Sequence, residues 1–408
     1  MSPTPSDRSP CEPFRMVDLF AGPGGLDLAA EVLDVPSIGI EWDDDAVSTR
    51  QAAGLRTQHG DVRLFGPGDR RFADCNVLAG GPPCQTFSIA GSGTGRKALD
   101  VVTRFIHRMH DWYDREKAGL RGETWEDIQR ELDKLEDERT GLVLQPLRWV
   151  LEAMLRPRHG GDEPRPFDVI VLEQVPSVLQ VWHEYEKVLR AVGYSTWARV
   201  FHTEQYGVPQ TRRRAVLVAR WGDRSAAEPA PTHQQYRKGV RPAELPLEGV
   251  RAPWISMADA LREVYGHVAE ATRRDLPFRV VSNYGSGGDP KARGRRDSNE
   301  PSATITGKWK RNRIVSTGTP EIDLDRLRNE EAGVLQSFPY RYPWRGSDPA
   351  QQIGNAVPPW FGVHVLSAAL GFEVPGARLR ERLLCWKPGE TAPVPGAREE
   401  KVLTGHLG

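Results

Sequence analysis

Gly80-Gly81-Pro82-Pro83-Cys84-Gln85-Thr86-Phe87-Ser88 follows Asn76-Val77-Leu78-Ala79, a short apolar run that reads as a buried strand. The paired glycines let the backbone turn sharply at the carboxyl end of that strand. Pro82 and Pro83 then stiffen the loop and narrow the directions open to the next side chain, a cysteine. Ligands of α/β sheets bind beyond the carboxyl ends of the strands, so a thiol there is placed to act as a nucleophile. Most free cysteines are small buried hydrophobes instead. The stretch alone leaves both readings open.

Upstream, Phe14 to Phe20 reads as a strand, Ala21-Gly22-Pro23-Gly24-Gly25 as a tight turn, and Leu26 to Leu33 as a helix. Strand, glycine turn and helix open a nucleotide-binding α/β unit, because glycines let a ligand approach the backbone at a helix amino terminus. Ile38-Gly39-Ile40 is a second short strand ending in Glu41-Trp42, where such folds set an acid against ribose hydroxyls. Trp42 offers a flat face to a purine or to packing. His59-Gly60-Asp61-Val62 puts a further acid at a strand end, suited to accept from an exocyclic amine. Each acid alone is an ordinary loop residue. Two at successive strand ends, following the glycine turn, point to an adenosine site.

In order and spacing, Asp18-Leu19-Phe20-Ala21-Gly22-Pro23-Gly24-Gly25, Glu41-Trp42, Gly60-Asp61 and Pro82-Pro83-Cys84-Gln85 resemble the first four motifs of the DNA (cytosine-5) methyltransferases. The resemblance implies a Rossmann-like α/β core that binds S-adenosyl-L-methionine, and a cysteine that adds to C6 of a flipped-out cytosine. Arg139-Thr140-Gly141-Leu142 is similar to the fifth motif, which sets Leu142 against the adenine. Tyr206 to Arg214 matches the eighth, with Arg214 as the contact to O2 of the base. Gln352 to Pro359 matches the tenth, with Asn355 and Val357 near the cofactor. The implied cofactor set is therefore Phe20, Gly22, Gly24, Gly25, Leu26, Glu41, Trp42, Asp61, Val62, Pro82, Leu142, Asn355 and Val357. No metal site is expected.

Phe167 to Leu172 reads as a central parallel strand, with Glu173-Gln174-Val175-Pro176 at its carboxyl end. Attack on C6 pushes electron density toward N3, and a carboxylic acid donating there stabilises that charge. Glu173 is the candidate, against a helix-capping alternative. The family's usual Asn after this acid is Gln174 here. Arg212 and Arg214 fall on one side of an extended segment, one suited to the base carbonyl and the other to a phosphate or the catalytic carboxylate. The candidate catalytic set is Cys84, Glu173, Arg212 and Arg214.

The chain has 408 residues, which favours two domains, and its formal net charge is zero. That balance hides an asymmetry: Arg273 to Arg313 holds eleven Lys or Arg against four Asp or Glu, with Tyr284 and Trp309 among them. This is the footprint of a surface for double-stranded DNA. The expected layout is a catalytic domain over 14–221, completed by 350–372, and a smaller target-recognition domain over 222–349. The ends, 1–13 and 373–408, read as flexible. Cys11, Cys75, Cys84 and Cys385 form no CxxC pair, which fits a reducing cytoplasm and no disulfide framework. No apolar run is long enough to span a membrane.

Ile89 to Leu135 departs from the family pattern. Leu99–Tyr113 and Trp125–Leu135 read as charged amphipathic helices. They form either an outward arm pairing a basic against an acidic face, or a basic helix on phosphates. The expected protein is thus a monomeric DNA methylase, with a cognate restriction endonuclease as a possible partner. A transfer-RNA methyltransferase of the same fold and an inactive DNA-binding relative are the alternatives.

Overall fold

The computed structural model describes residues 13–83, 93–135, 137, 139–222, 224–240, 251–282 and 294–389. Cys84 and the rest of its loop to 92 lie outside the described residues, as do 1–12, 283–293 and 390–408.

The chain begins with β1 (Met16–Leu19), α1 (Gly25–Val32), β2 (Ser37–Glu41), α2 (Asp44–Ala53), β3 (Thr57–His59) and β4 (Val77–Gly80). Asp43 starts α2 by accepting from the Ala46 amide (2.9 Å), and Gly54 ends it at φ 78°. Next come α3 (Gly93–Lys117), α4 (Trp125–Leu132), α5 (Arg139–Leu142), α6 (Gln145–Leu155), β5 (Val169–Gln174), α7 (Leu179–Ala191), β6 (Tyr194–His202), β7 (Gln210–Thr211) and β8 (Arg213–Trp221). The main sheet runs β3-β2-β1-β4-β5-β8-β6, parallel except for β8, which is antiparallel to both its neighbours.

Alternation along the central strands divides the core in two. Met16, Val77, Ala79, Val169 and Val171 face α1 and the carboxyl-terminal helices. Val17, Leu19, Leu78, Ile170 and Leu172 face α3, α6 and α7. A parallel sheet covered on both faces needs such near-continuous apolar strands.

The second region contains α8 (Met257–His267), β9 (Phe278–Val281), β10 (Arg295–Asp297), β11 (Ser302–Ala303), β12 (Arg313–Ser316) and β13 (Asp323–Leu324). An antiparallel sheet, β10-β9-β12-β13, lies beside α8, and β11 pairs with β7 of the first region. Phe278, Val280, Ile314 and Leu261 belong to the same apolar cluster as α1. The chain closes with α9 (Asn329–Leu335), α10 (Pro349–Asn355), α11 (Pro359–Leu370) and α12 (Ala377–Leu384).

Two expectations are corrected here. Residues 373–389 are not a loose tail: α12 docks, because Leu383, Leu384 and Trp386 bury their apolar surface in the α1 cluster. Nor do the described residues of the 89–135 segment, 93–135, form an outward arm. Its helices form where the charge pattern put them, and Arg108 pairs with Glu123 and, at 2.6 Å, with Glu131. However, Phe105, Ile106, Met109 and Trp112 of α3 are buried with Trp149 of α6 and Trp182 of α7. Burial of these large apolar side chains outweighs what exposed ion pairs contribute.

Candidate active site

The carboxyl ends of β1, β2, β4 and β5 converge on a cavity of about 760 Å³. Its floor is the turn after β1. Phe20 sits at φ 61°, a conformation that costs a non-glycine residue energy, and Gly22 follows at φ 54°. A Cβ on Gly22 would meet nothing within 4 Å, so the backbone itself faces the space. At Gly25 the reason for glycine is contact: a Cβ there would stand 2.1 Å from the carbonyl oxygen of Val357. The amino end of α1 and the tenth-motif stretch thus touch through backbone alone.

Glu41 ties this floor to the next strand. Its Oε2 accepts from the Gly22 amide at 2.7 Å, and its Oε1 accepts from Trp42 and Asp43, both at 2.9 Å. Burial raises its pKa, and those amides work against the shift. Trp42 beside it is 66% exposed, leaving a bare ring face at the rim. Below the turn, Asp27 and Arg50 form a fully buried pair at 2.6 Å. Arg50 fits there because Gly39 has no side chain; a Cβ would lie 2.0 Å from Nη2. A glycine inside a strand marks such close approaches, and Gly39 was the sequence signal for this pair.

Opposite stands the wall at the end of β5. The Glu173 carboxylate meets Arg214 Nε at 2.6 Å, with both side chains about nine-tenths buried. Burial raises the pKa of Glu173, while the charges of Arg214 and Arg212 oppose that rise. Gly81 and Pro83, which lead into Cys84, line the same cavity as Glu173 and Arg214. Gln174 donates from Nε2 to the Pro82 carbonyl at 2.7 Å. The longer side chain in place of Asn therefore still fastens the thiol loop to β5.

Of the residues proposed for the cofactor, Phe20, Gly22, Gly25, Leu26, Glu41, Trp42, Asp61, Val62, Leu142, Asn355 and Val357 line the cavity. Gly24 and Pro82 do not. Gly24, at φ 101°, backs onto Leu55, and of the Pro82-Pro83 pair it is Pro83 that lines the space. Asp61 reaches the cavity with its oxygens engaged by Arg63, at 2.8 Å to Nε and 2.6 Å to Nη2. Burial pushes its pKa up, but the Arg63 bonds prevail and leave it below the usual value.

Arg212 departs from its expected role. It is 1% exposed and donates to the carbonyls of Ile305 (2.9 Å), Gly354 (3.0 Å) and Ala356 (3.1 Å). The strand breaks at this residue, between β7 and β8, so the alternation that would align it with Arg214 is interrupted. Arg212 is a tie between β8 and the tenth-motif stretch. Cys84, the fourth expected catalytic residue, lies outside the described residues.

Residues 14–101 and 164–369 match the family model for the C-5 cytosine-specific DNA methylase. The chain belongs to that family. The gap in the match, 102–163, covers most of α3 together with α4, α5 and α6. This methylase is 24% identical over 375 residues to the type II methyltransferase M.NgoFVII of Neisseria gonorrhoeae, covering 85% of this chain and 83% of the relative. It is 23% identical over 413 residues to the type II methyltransferase M.SacI of Streptomyces achromogenes, covering 87% and 92%. Among solved structures, the S. pombe Dnmt2 methyltransferase superposes with a TM-score of 0.53 at 14% identity, covering 88% of this chain and 98% of that one. The Entamoeba histolytica methyltransferase EhMeth gives 0.52 at 12% identity, covering 88% and 99%. The enzyme is a DNA (cytosine-5) methyltransferase, and its methyl donor is S-adenosylmethionine. The cavity fits that donor: it has nucleoside-scale volume, a buried carboxylate at Glu41, an open aromatic face at Trp42 and a bare glycine floor.

Proposed function

We propose that this methylase acts on a specific double-stranded DNA sequence, extruding the target cytosine and bonding to it through Cys84. One observation carries the reading. Glu173 and Arg214 line the same cavity as the donor-binding residues and the two residues that lead into Cys84. A base in the stack hides C5 and C6, so entering this cavity requires it to leave the duplex, at a cost of a few kcal/mol.

In the proposed cycle the Cys84 thiolate adds to C6, and the electron pair displaced toward N3 is met by a proton held on Glu173. Burial favours the protonated acid, which suits it to donate. Arg214 keeps the carboxyl oriented and offers a donor to the carbonyl O2. When bound, S-adenosylmethionine supplies an electrophilic methyl group for C5. The C5 proton then leaves to a base, for which water suffices, and the C6–S bond breaks to restore the thiolate and release 5-methylcytosine.

The same reading has the enzyme working as a monomer in the cytoplasm, beside a cognate endonuclease of a type II system. Bisulfite sequencing of DNA from cells expressing the chain tests activity and target together; a methylated cytosine in one recurring sequence is expected. Cys84→Ala should abolish that signal while the protein still binds S-adenosylhomocysteine. Wild-type methylation by the Ala variant would reject the covalent route, and methyl transfer to transfer RNA but not to duplex DNA would reject the substrate.

A further inference from the structure

The donor pocket has a second support behind its floor, from parts of the chain more than 300 residues away in sequence. Tyr342, 2% exposed, donates its hydroxyl to the carbonyl of Pro23, in the middle of the glycine turn. The same oxygen would lie 3.1 Å from a Cβ on Gly24, so it sits directly against the turn. The ring is clasped on three sides by Phe338, Trp344 and Trp386, with centroids 4.8, 4.9 and 5.4 Å away. Burial pushes the phenol pKa far up, so the hydroxyl stays a donor at any working pH.

Trp386 comes from the segment after α12, beyond the region shared with the family model. Its Nε1 donates to Glu31 of α1 at 3.3 Å. One turn earlier, Arg382 makes a two-pronged contact to Asp34 just past α1, both bonds 2.7 Å. Arg380 reaches the other way, to Glu263 of α8 at 2.9 Å, while its guanidinium lies 5.4 Å from the Trp360 ring centroid. The segment is therefore strapped between the helix that opens at the donor pocket and the first helix of the second region.

We propose that Tyr342, backed by Trp386, is a positioning residue for the methyl donor, resting on the cavity above being the donor pocket. The hydroxyl fixes the Pro23 carbonyl, which holds the turn in place and keeps the bare face of Gly22 toward the ligand. Tyr342 is buried behind the turn and is not among the residues that line the cavity. Its contribution falls on donor affinity and not on the chemical step.

The test uses the full chain and calorimetric binding of S-adenosylhomocysteine, a readout independent of turnover. Tyr342→Phe should weaken binding about fivefold, the worth of one hydrogen bond. Trp386→Ala should do at least as much, and Trp386→Phe, which keeps an aromatic backing, should recover most of the loss. KM for S-adenosylmethionine should rise in parallel, with kcat at saturating donor and affinity for duplex DNA unchanged. Glu41→Ala is the control on the pocket itself and should weaken binding more than any of these. Wild-type affinity in Tyr342→Phe and Trp386→Ala, with Glu41→Ala impaired, overturns the positioning role while leaving the pocket in place. Unchanged binding in Glu41→Ala overturns the pocket and the proposal with it. Losses spread equally over donor binding, DNA binding and melting temperature would make Tyr342 a general packing residue and also overturn it.

Discussion

The pair Asp27–Arg50 beneath the glycine turn and the pair Glu173–Arg214 beside the thiol loop share one contact distance, 2.6 Å, and differ in what is left over. Under the turn the charges are spent. Asp27 also accepts from the Ser37 hydroxyl at 2.8 Å, and Arg50 donates to Thr57 Oγ1 at 3.0 Å and to the Arg56 carbonyl at 3.2 Å. Neither side chain is exposed at all. Beside the thiol loop, Glu173 and Arg214 open onto the cavity, and Glu173 Oε2 points toward Gly81, 3.8 Å from where its Cβ would be. A fully partnered buried pair holds backbone in place. A pair with unspent capacity facing a cavity is equipped to meet a substrate.

The sharpest way to break that comparison is to remove one carboxylate from each pair. Glu173→Gln should slow the methyl-transfer step by roughly 10²–10⁴-fold with little change in melting temperature. Asp27→Asn strands a buried guanidinium and should cost about 3–5 kcal/mol of folding stability, read by denaturant unfolding. If both variants lose the same property to the same degree, the two pairs do the same job and the distinction falls.

Acidity gives a second handle on the cleft pair. Burial holds Glu173 above the ordinary glutamate value of 4.5. A raised folded pKa stabilises the fold fully below the unfolded value, and that contribution is lost as pH rises through the folded one. The single-turnover rate of the wild type should fall over the same rise. Glu173→Gln cannot titrate, so its profile should lack that limb.

Carried to the surface, the same contrast between spent and unspent charge sorts the basic stretch of the second region. Arg279 is engaged by Asp297 and Glu321, Arg295 by Glu321, and Arg313 by Asp323. Lys308, Lys310 and Arg311 are exposed around a short helical turn anchored by the buried Trp309. Replacing Lys310 and Arg311 with Gln should reduce the slope of log affinity against log salt by about 2 on duplex DNA, whereas Arg313→Gln should barely alter it. The smallest effect is expected at Gln174→Asn. The shorter amide gives up reach to the Pro82 carbonyl, and a change in kcat of no more than about threefold is anticipated for one half-buried hydrogen bond.

Much of this arrangement is legible in the sequence. Glycine turns and strand-end acids follow from local rules, so Phe20, Gly22, Glu41 and Glu173 fell where the residues implied. Gly39, read only as part of a strand, was marking the space for Arg50. What failed depended on contacts distant in the chain. Arg212 and Arg214 look alike in sequence, and only the strand break at Arg212 decides which one reaches the cavity. The proline- and charge-rich composition around α12 spoke for a tail, while three apolar side chains, Leu383, Leu384 and Trp386, decided the outcome. In α3 the charges are the visible pattern, yet the aromatic and aliphatic face between them fixes where the helix lies.

The backbone contact between Gly25 and Val357 sets a timetable for the enzyme's synthesis. On the ribosome, the glycine turn emerges more than three hundred residues ahead of its opposite wall. Until Asn355 and Val357 have cleared the exit tunnel, the nascent chain carries a thiol, an acid and half a pocket, but no complete seat for the donor. A chain stalled before Val357 therefore lacks one wall of the donor's seat.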